Sequence, residues 1–297
     1  MIINSATLNA LRVGFNTSFQ SGLGLAASLA DRVATTVPSS HKQEDYGWIN
    51  RLPNVREWIG DRVVQNIGES SYVIRNKSWE LTLGVDRDDI EDDSLGIYAP
   101  MFQEFGASTG AHKDNLVWGL LKAGFATNCF DGQFYFDTDH PVLDANGAGT
   151  TYANTDGGSG NAWFLMSTKR ALKPIIYQLR RPWNFVALDN PDDPNVFMKK
   201  EFLYGSDARS NVGYGFPQMC WGSKQTLDGT HYAAARLGLA SMKGDYARPL
   251  GLSGDLLVVG PSNESAARKL LNSEYASGGE TNQWKGTAEL LVVPWLD

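Results

Sequence analysis

At 297 residues, with 42% hydrophobic side chains, the chain can bury one large core or two ordinary ones. Its formal net charge of −7 argues against a protein that works by gripping nucleic acid electrostatically, although a container need not grip its contents. No apolar run is long enough to cross a bilayer, MIINSATLNALRVGF lacks the pattern of a secretion signal, and Cys129 and Cys220 read as buried free thiols in a reducing compartment.

From residue 4 to 30, Leu8, Leu11, Val13, Phe15 and Phe19 share one helical face, with Asn4 or Ser5 placed to cap it. Gly22 and Gly24 are expected to loosen this helix. The pattern Gly22-x-Gly24-x-x-Ala27 follows no strand, so it is not a dinucleotide fingerprint. An amphipathic arm of this kind reads as a segment that docks on something else. Residues 35–45 read as a polar linker. Residues 46–70 set Arg56, Glu57, Asp61 and Arg62 between Trp48, Trp58 and Ile59. That composition suits an interface of aromatic anchors ringed by charges, or a core helix with a charged outer face.

The stretch 71–125 organises the chain. Trp79, Leu81, Leu83 and Val85 alternate with Glu80, Thr82 and Gly84, as in a half-buried strand. Tyr72 and Ile74 have the opposite phase, so a bulge or turn is expected near Asn76. The acidic cluster Asp86, Asp88, Asp89, Glu91, Asp92 and Asp93 suits a solvated helix start better than a metal site. Tyr98, Met101, Phe102, Phe105, Leu116, Val117, Leu120, Leu121 and Phe125 then predict one long helix. A hairpin feeding a long helix is a beam suited to a subunit that reaches its neighbours.

Beyond it, DANGAGTTYANTDGGSGN reads as a flexible loop, and AWFLMSTKRALKPIIYQLRRPWNFVAL as strand, turn, strand. VFMKKEFLYGSDARSNVGYGF reads as another strand pair. THYAAARLGLASMKG predicts a helix stopped at Gly244, DLLVVGP a buried strand, SNESAARKLLNSEY a helix capped by Ser262 or Asn263, and TAELLVVPWLD a final strand. Mixed but not alternating elements indicate an α+β fold.

Asp137, Asp139 and His140 form the best-looking catalytic or metal constellation, and a metal-dependent hydrolase using them is the rival reading. Their bland reading is a structural turn in which Asp139 braces backbone and Pro141 fixes the direction. His41, His112 and His231 are scattered, without zinc-protease spacing. Gly260-Pro261-Ser262-Asn263-Glu264 is not the Gly-x-Ser-x-Gly pattern of a serine nucleophile, Ser262 serves better as a helix cap, and there is no phosphate-binding loop.

The runs ATLNALRVGFNTSFQSGL, YGWINRLPNVREWIGDR, YVIRNKSWELTLGVDRDDIEDDSLGIYAPMFQEFG, CFDGQFYFDTDHPV, FLMSTKRALKPIIYQLRR and LLVVGPSNESAARKLLNSE make the chain resemble, end to end, the major head subunit of Mu-like tailed phages. The resemblance implies the Hong Kong 97 capsid fold. It places an N-terminal arm at 1–45, an extended loop (a hairpin) at 46–87, a peripheral domain at 88–222 with its spine helix near 95–125, and an axial domain at 223–297. It implies a structural protein, not an enzyme, that assembles into an icosahedral head around double-stranded DNA without cofactor, metal or sequence-specific DNA binding. Implied partners are copies of itself in hexamers and pentamers, a scaffold and maturation protease, the portal, and a decoration protein. No membrane is involved; the location is the virion capsid, with assembly in the host cytoplasm. The candidate contact residues are Tyr46, Trp48, Arg56, Glu57, Trp58, Asp61, Arg62, Lys77 and Trp79. Lys77 beside Asn76 raises the thought of a covalent crosslink between subunits, but the expectation is that none forms.

Overall fold

The computed structural model describes residues 4–46, 72–92, 95–276 and 279–297. The first helix, α1 (Ser5–Leu25), begins at a reciprocal cap. Asn4 Oδ1 accepts from the Thr7 N–H at 2.9 Å, and the Asn4 N–H donates to Thr7 Oγ1 at 3.1 Å. Its buried side is Leu8, Phe15, Phe19 and Gly22. Residues 35–45, expected as a linker, instead lie largely in two strands, β1 (Ala34–Pro38) and β2 (Gln43–Asp45). The reason is pairing that no local pattern reveals: Ala34 aligns in parallel with Ile175, far along the chain.

Strands β3 (Val73–Arg75) and β4 (Lys77–Asp86) are separated at Asn76, where the two apolar phases meet as expected. Asp86 then caps α2 (Arg87–Glu91), accepting from the Asp88 N–H at 2.8 Å. The long helix α3 (Tyr98–Lys122) follows.

Residues 144–161 were expected to be a flexible loop, yet they hold two strands, one of them pairing with a strand just ahead of the segment. First comes β5 (His140–Leu143), which pairs with β6 (Gly149–Tyr152) inside the expected loop, and β7 (Thr155–Gly158) follows there. After β8 (Trp163–Met166) comes a long hairpin. Its arms are β9 (Ile175–Leu188) and β10 (Glu201–Tyr214), joined through α4 (Pro194–Lys199). The expected strand pair at 196–216 is therefore a short helix and one strand. Gly205 and Gly213 did not punctuate it; they make room for Thr82 and Ile74 of neighbouring strands.

The chain closes with β11 (Cys220–Lys224), α5 (Gly229–Ser241), the small ribbon β12 (Lys243–Gly244) and β13 (Arg248–Pro249), β14 (Leu256–Val259), α6 (Glu264–Asn272) and β15 (Glu289–Val292). The helix α5 ends before Gly244, which lies in the ribbon, and neither Ser262 nor Asn263 caps α6 through its side chain.

Two sheets organise these elements. One has the order β1-β9-β10-β4, the other β15-β14-β8-β11-β7. The second joins strands from both sides of residue 222, because β8 pairs with β11 on one edge and β14 on the other. A division at 222/223 therefore does not follow sheet membership.

Helix α3 bridges two cores. Near its start Phe102 stacks on Phe15 with centroids 4.2 Å apart, and Tyr204 meets Phe15 edge-on at 5.1 Å. Each such ring removed from water contributes about 2 kcal/mol. Near its end Val117, Trp118 and Leu121 pack with Phe164, Tyr135 and Tyr214. The third core lies where Trp163, Leu165 and Leu257 of the second sheet meet Tyr232 and Leu239 of α5 and Leu270 of α6. Helix α1 lies so close to α3 that a Cβ at Gly22 would overlap the Gln103 carbonyl, and one at Gly106 the Phe19 carbonyl. The glycine expected to loosen α1 is thus a contact point.

Candidate functional site

The two strands leading into and out of residues 47–71 form a braced root. Gln43 pairs with Arg75 and Asp45 with Val73 in an antiparallel ladder, and the Tyr46 N–H donates to the Tyr72 carbonyl at 2.9 Å. Glu44 holds the preceding turn. One carboxylate oxygen accepts from Ser39 Oγ (2.8 Å), the Ser40 N–H (2.7 Å) and the His41 N–H (3.0 Å). The Ser39 bond, then the two backbone bonds, lower its carboxyl to about 2.

Beneath the root, Gln178 of β9 accepts from the Tyr46 hydroxyl at 2.8 Å and donates to Asn76 Oδ1 at 2.8 Å. Asn76 in turn donates to Ser39 Oγ at 2.8 Å and the His41 carbonyl at 2.9 Å. The Tyr72 hydroxyl accepts the Tyr214 N–H at 2.7 Å. Burial pushes both tyrosines up to about 12, so they stay neutral donors and acceptors.

This geometry sorts the candidate contact residues. Tyr46 was expected at a subunit contact but is a core residue of its own chain, only 2% exposed. Trp79 is half-buried, donates to the Ser210 carbonyl at 3.0 Å, and lies against the His112 ring at 4.4 Å. Lys77 is exposed at the start of β4, while the neighbouring Asn76 amide is fully committed within the chain. Trp48, Arg56, Glu57, Trp58, Asp61 and Arg62 lie outside the described residues. Sequence reasoning missed Gln178 and Glu44. A glutamine inside an otherwise apolar strand was the available signal for the first.

The expected trio Asp137, Asp139 and His140 does not converge. His140 is fully buried, its Nδ1 lies 2.7 Å from Asp131 Oδ2, and its ring stacks on Tyr152 at 4.9 Å. Asp131 Oδ1 accepts from Cys129 Sγ at 2.9 Å and the Gln133 N–H at 3.1 Å. Burial works against the Asp131 carboxylate, but the bonds from His140 and Cys129 outweigh it and its pKa falls below the usual value. Asp137, not Asp139, braces the turn, accepting from the Thr138 N–H at 2.7 Å and the Phe134 N–H at 3.3 Å. A hydrogen bond shared by Asp137 and Asp139 raises Asp139, the more exposed of the two.

Cys129, Asp131 and His140 are a geometric candidate for an ion, with ligand atoms within 4.8 Å of one another. Their chemistry points elsewhere. Burial, then the bond to Asp131, pushes the thiol far up, so without an ion it is a protonated donor and not a nucleophile. The carboxylate sits between thiol and imidazole, so His140 does not activate Cys129 as a base would. The trio is a buried polar knot at the β5–β6 hairpin, joined through Asp131, with His140 Nε2 left without a hydrogen-bond partner.

Comparison with known proteins matches the whole chain. The family described as "Mu-like prophage major head subunit gpT" matches residues 8–296. The major capsid protein of Escherichia phage Mu is 40% identical over 100% of both chains. The Mu-like prophage FluMu major head subunit of Haemophilus influenzae is 42% identical over 90% of this chain and 89% of its own. Among solved structures, a chain of the bacteriophage JBD30 procapsid superimposes with a TM-score of 0.88 at 41% identity, covering 99% of this chain and 100% of that one. A chain of the JBD30 capsid decorated with minor capsid protein trimers gives 0.78 at 32% identity, over 94% of each.

Proposed function

The chain belongs to the Mu-like prophage major head subunit gpT family, has the Hong Kong 97-like fold of its capsid relatives and is a major capsid protein of a Mu-like phage, and from that premise we propose that its copies close into the icosahedral head enclosing the phage's double-stranded DNA. The end-to-end likeness to the JBD30 procapsid chain is the observation that carries this reading. The braced root suits it: Gln178, Asn76 and Glu44 tie the chain on either side of residues 47–71 firmly to the body of the subunit. Hexamers and pentamers of this subunit, a scaffold, a maturation protease and a portal complete the proposed assembly. The trimers on the JBD30 capsid support a decoration protein here as well. The net charge of −7 suits a wall that encloses DNA without binding its sequence.

Catalysis plays no part in this role. The hydrolase reading is dropped, because its three residues do not form a site and the comparisons lead to capsid proteins. No helix among the described residues is long and apolar enough to cross a membrane. Expressing the full chain and imaging the product by electron microscopy tests the proposal. Rings or closed shells are expected; a dispersed monomer under every assembly condition, with native folding, would sink it.

A further inference from the structure

We propose that the four-stranded sheet is an electrically polar bar whose basic end docks on the acidic end of a second copy of this chain. The inference rests on the capsid reading above and names a contact within it. Strand β4 runs from Lys77 to Asp86, a length of about 30 Å for ten extended residues.

At the Lys77 end the register gathers cations from separate segments. Ser78 faces Arg209, Arg209 faces Arg181, and Arg75 faces Gln43 beside Lys42. Arg180 reaches the Ser39 carbonyl at 3.3 Å. Lys42, Arg75, Lys77, Arg180 and Arg181 are all exposed. Among the described residues the cations Lys42, Arg75, Lys77, Arg180, Arg181 and Arg209 outnumber the acids Glu44, Asp45, Glu80 and Asp207, and Asp207 is paired with Arg181.

At the other end the sign reverses. Asp86 faces Glu201, and α2 adds Asp88, Asp89, Glu91 and, just past its end, Asp92. The β9–α4 connection brings Asp192 and Asp193 to the same end. Arg87 is occupied by Glu91 at 2.9 Å and Lys200 by Asp88 at 3.2 Å, which leaves a surplus of carboxylates including the exposed Asp92.

Opposite charges about 30 Å apart do not neutralise each other across water when the screening length at physiological salt is about 8 Å. They are complementary to each other on separate molecules. Copies meeting basic end to acidic end form a heterologous contact, the kind that closes into rings. A nucleic-acid backbone is the other polyanion that the basic end would attract. It is the poorer fit, because Asp45, Glu80 and Asp207 are interleaved with the cations, and only the second copy supplies a matched, fixed acidic partner.

The test is a charge swap in the full chain, scored by shell yield in electron micrographs and by nucleic-acid content of isolated shells, with thermal melting confirming folding. Arg75→Glu with Lys77→Glu, or Asp88→Lys with Asp92→Lys, is expected to lower shell yield about tenfold, and combining all four to restore most of it. Normal yield from both single-end reversals overturns the contact while leaving the capsid reading intact. So does a folded four-fold variant that stays as impaired as its parents. Unchanged shell yield with reduced nucleic-acid content in the basic-end variant assigns that end to DNA instead. A wild-type chain that forms no shells refutes the capsid reading itself, a result distinct from all of these.

Discussion

Asp131 takes hydrogen bonds from a thiol and an imidazole at once, so losing it leaves two buried donors stranded. Asp131→Ala is expected to cost about 2–4 kcal/mol in urea unfolding. Its pKa is depressed in the folded chain, so its contribution is present above the ordinary aspartate value near ~4 and is lost as pH falls through the lower folded value. The stability of Asp131→Asn should therefore fall less steeply than wild type over that acid range. Glu44 titrates by the same sign rule: the turn it holds is braced above the usual glutamate range and released as pH falls towards about 2. Carbon-13 NMR of the side chain would show that midpoint, and a value near an ordinary glutamate would refute the bracing role. Because the Cys129 thiol stays protonated, a chelator is expected to leave the melting temperature unchanged; a drop would mean that the knot holds an ion after all.

Helices α1 and α3 touch backbone to backbone at Gly22 and Gly106, and that closeness predicts opposite outcomes for the same substitution. Gly106→Ala must wedge the helices apart at a cost of about 2–4 kcal/mol. Gly119→Ala, on the same helix with open space around it, should be neutral or stabilise by up to about 1 kcal/mol. Equal effects in chemical denaturation would show that the contact is not tight. The arm was expected to dock on something else, yet Leu8, Phe15 and Phe19 are buried against the chain's own Phe102, Phe105 and Tyr204. Hydrogen exchange in dispersed subunits should therefore protect residues 8–19, and deleting α1 should yield an aggregating chain, not a soluble one. Elements with a local signature were legible beforehand: α3 from its long apolar stripe, β4 from its alternation, β14 from four consecutive apolar residues. Elements that exist through distant pairing were not. Thr35 and Thr36 look like linker until Ile176 and Tyr177 lie beside them, and Asp131 looks like one more loop acid until the chain returns with His140. The close helix crossing was invisible for the same reason, since glycine reads as weakness in a lone helix and as access in a packed pair.

Across the whole molecule, folding and assembly should separate. Trp58 lies outside the described residues, and as a proposed anchor its replacement by alanine should reduce shell formation while leaving the subunit's melting temperature near wild type. Normal shells from Trp58→Ala, or a subunit that fails to fold, would remove it from the contact list. The body that carries such contacts is also chemically quiet. Cys129 and Cys220 are both buried and unpaired, and burial drives both thiols well above their ordinary pKa. A thiol-counting dye should register none in the native subunit and two after denaturation. The subunit thereby arrives as a blank for conjugation chemistry: one cysteine placed at exposed Asn146, in the β5–β6 turn, would be the sole maleimide-reactive handle per copy, and a shell would display the attached dye, peptide or catalyst once for every subunit it contains.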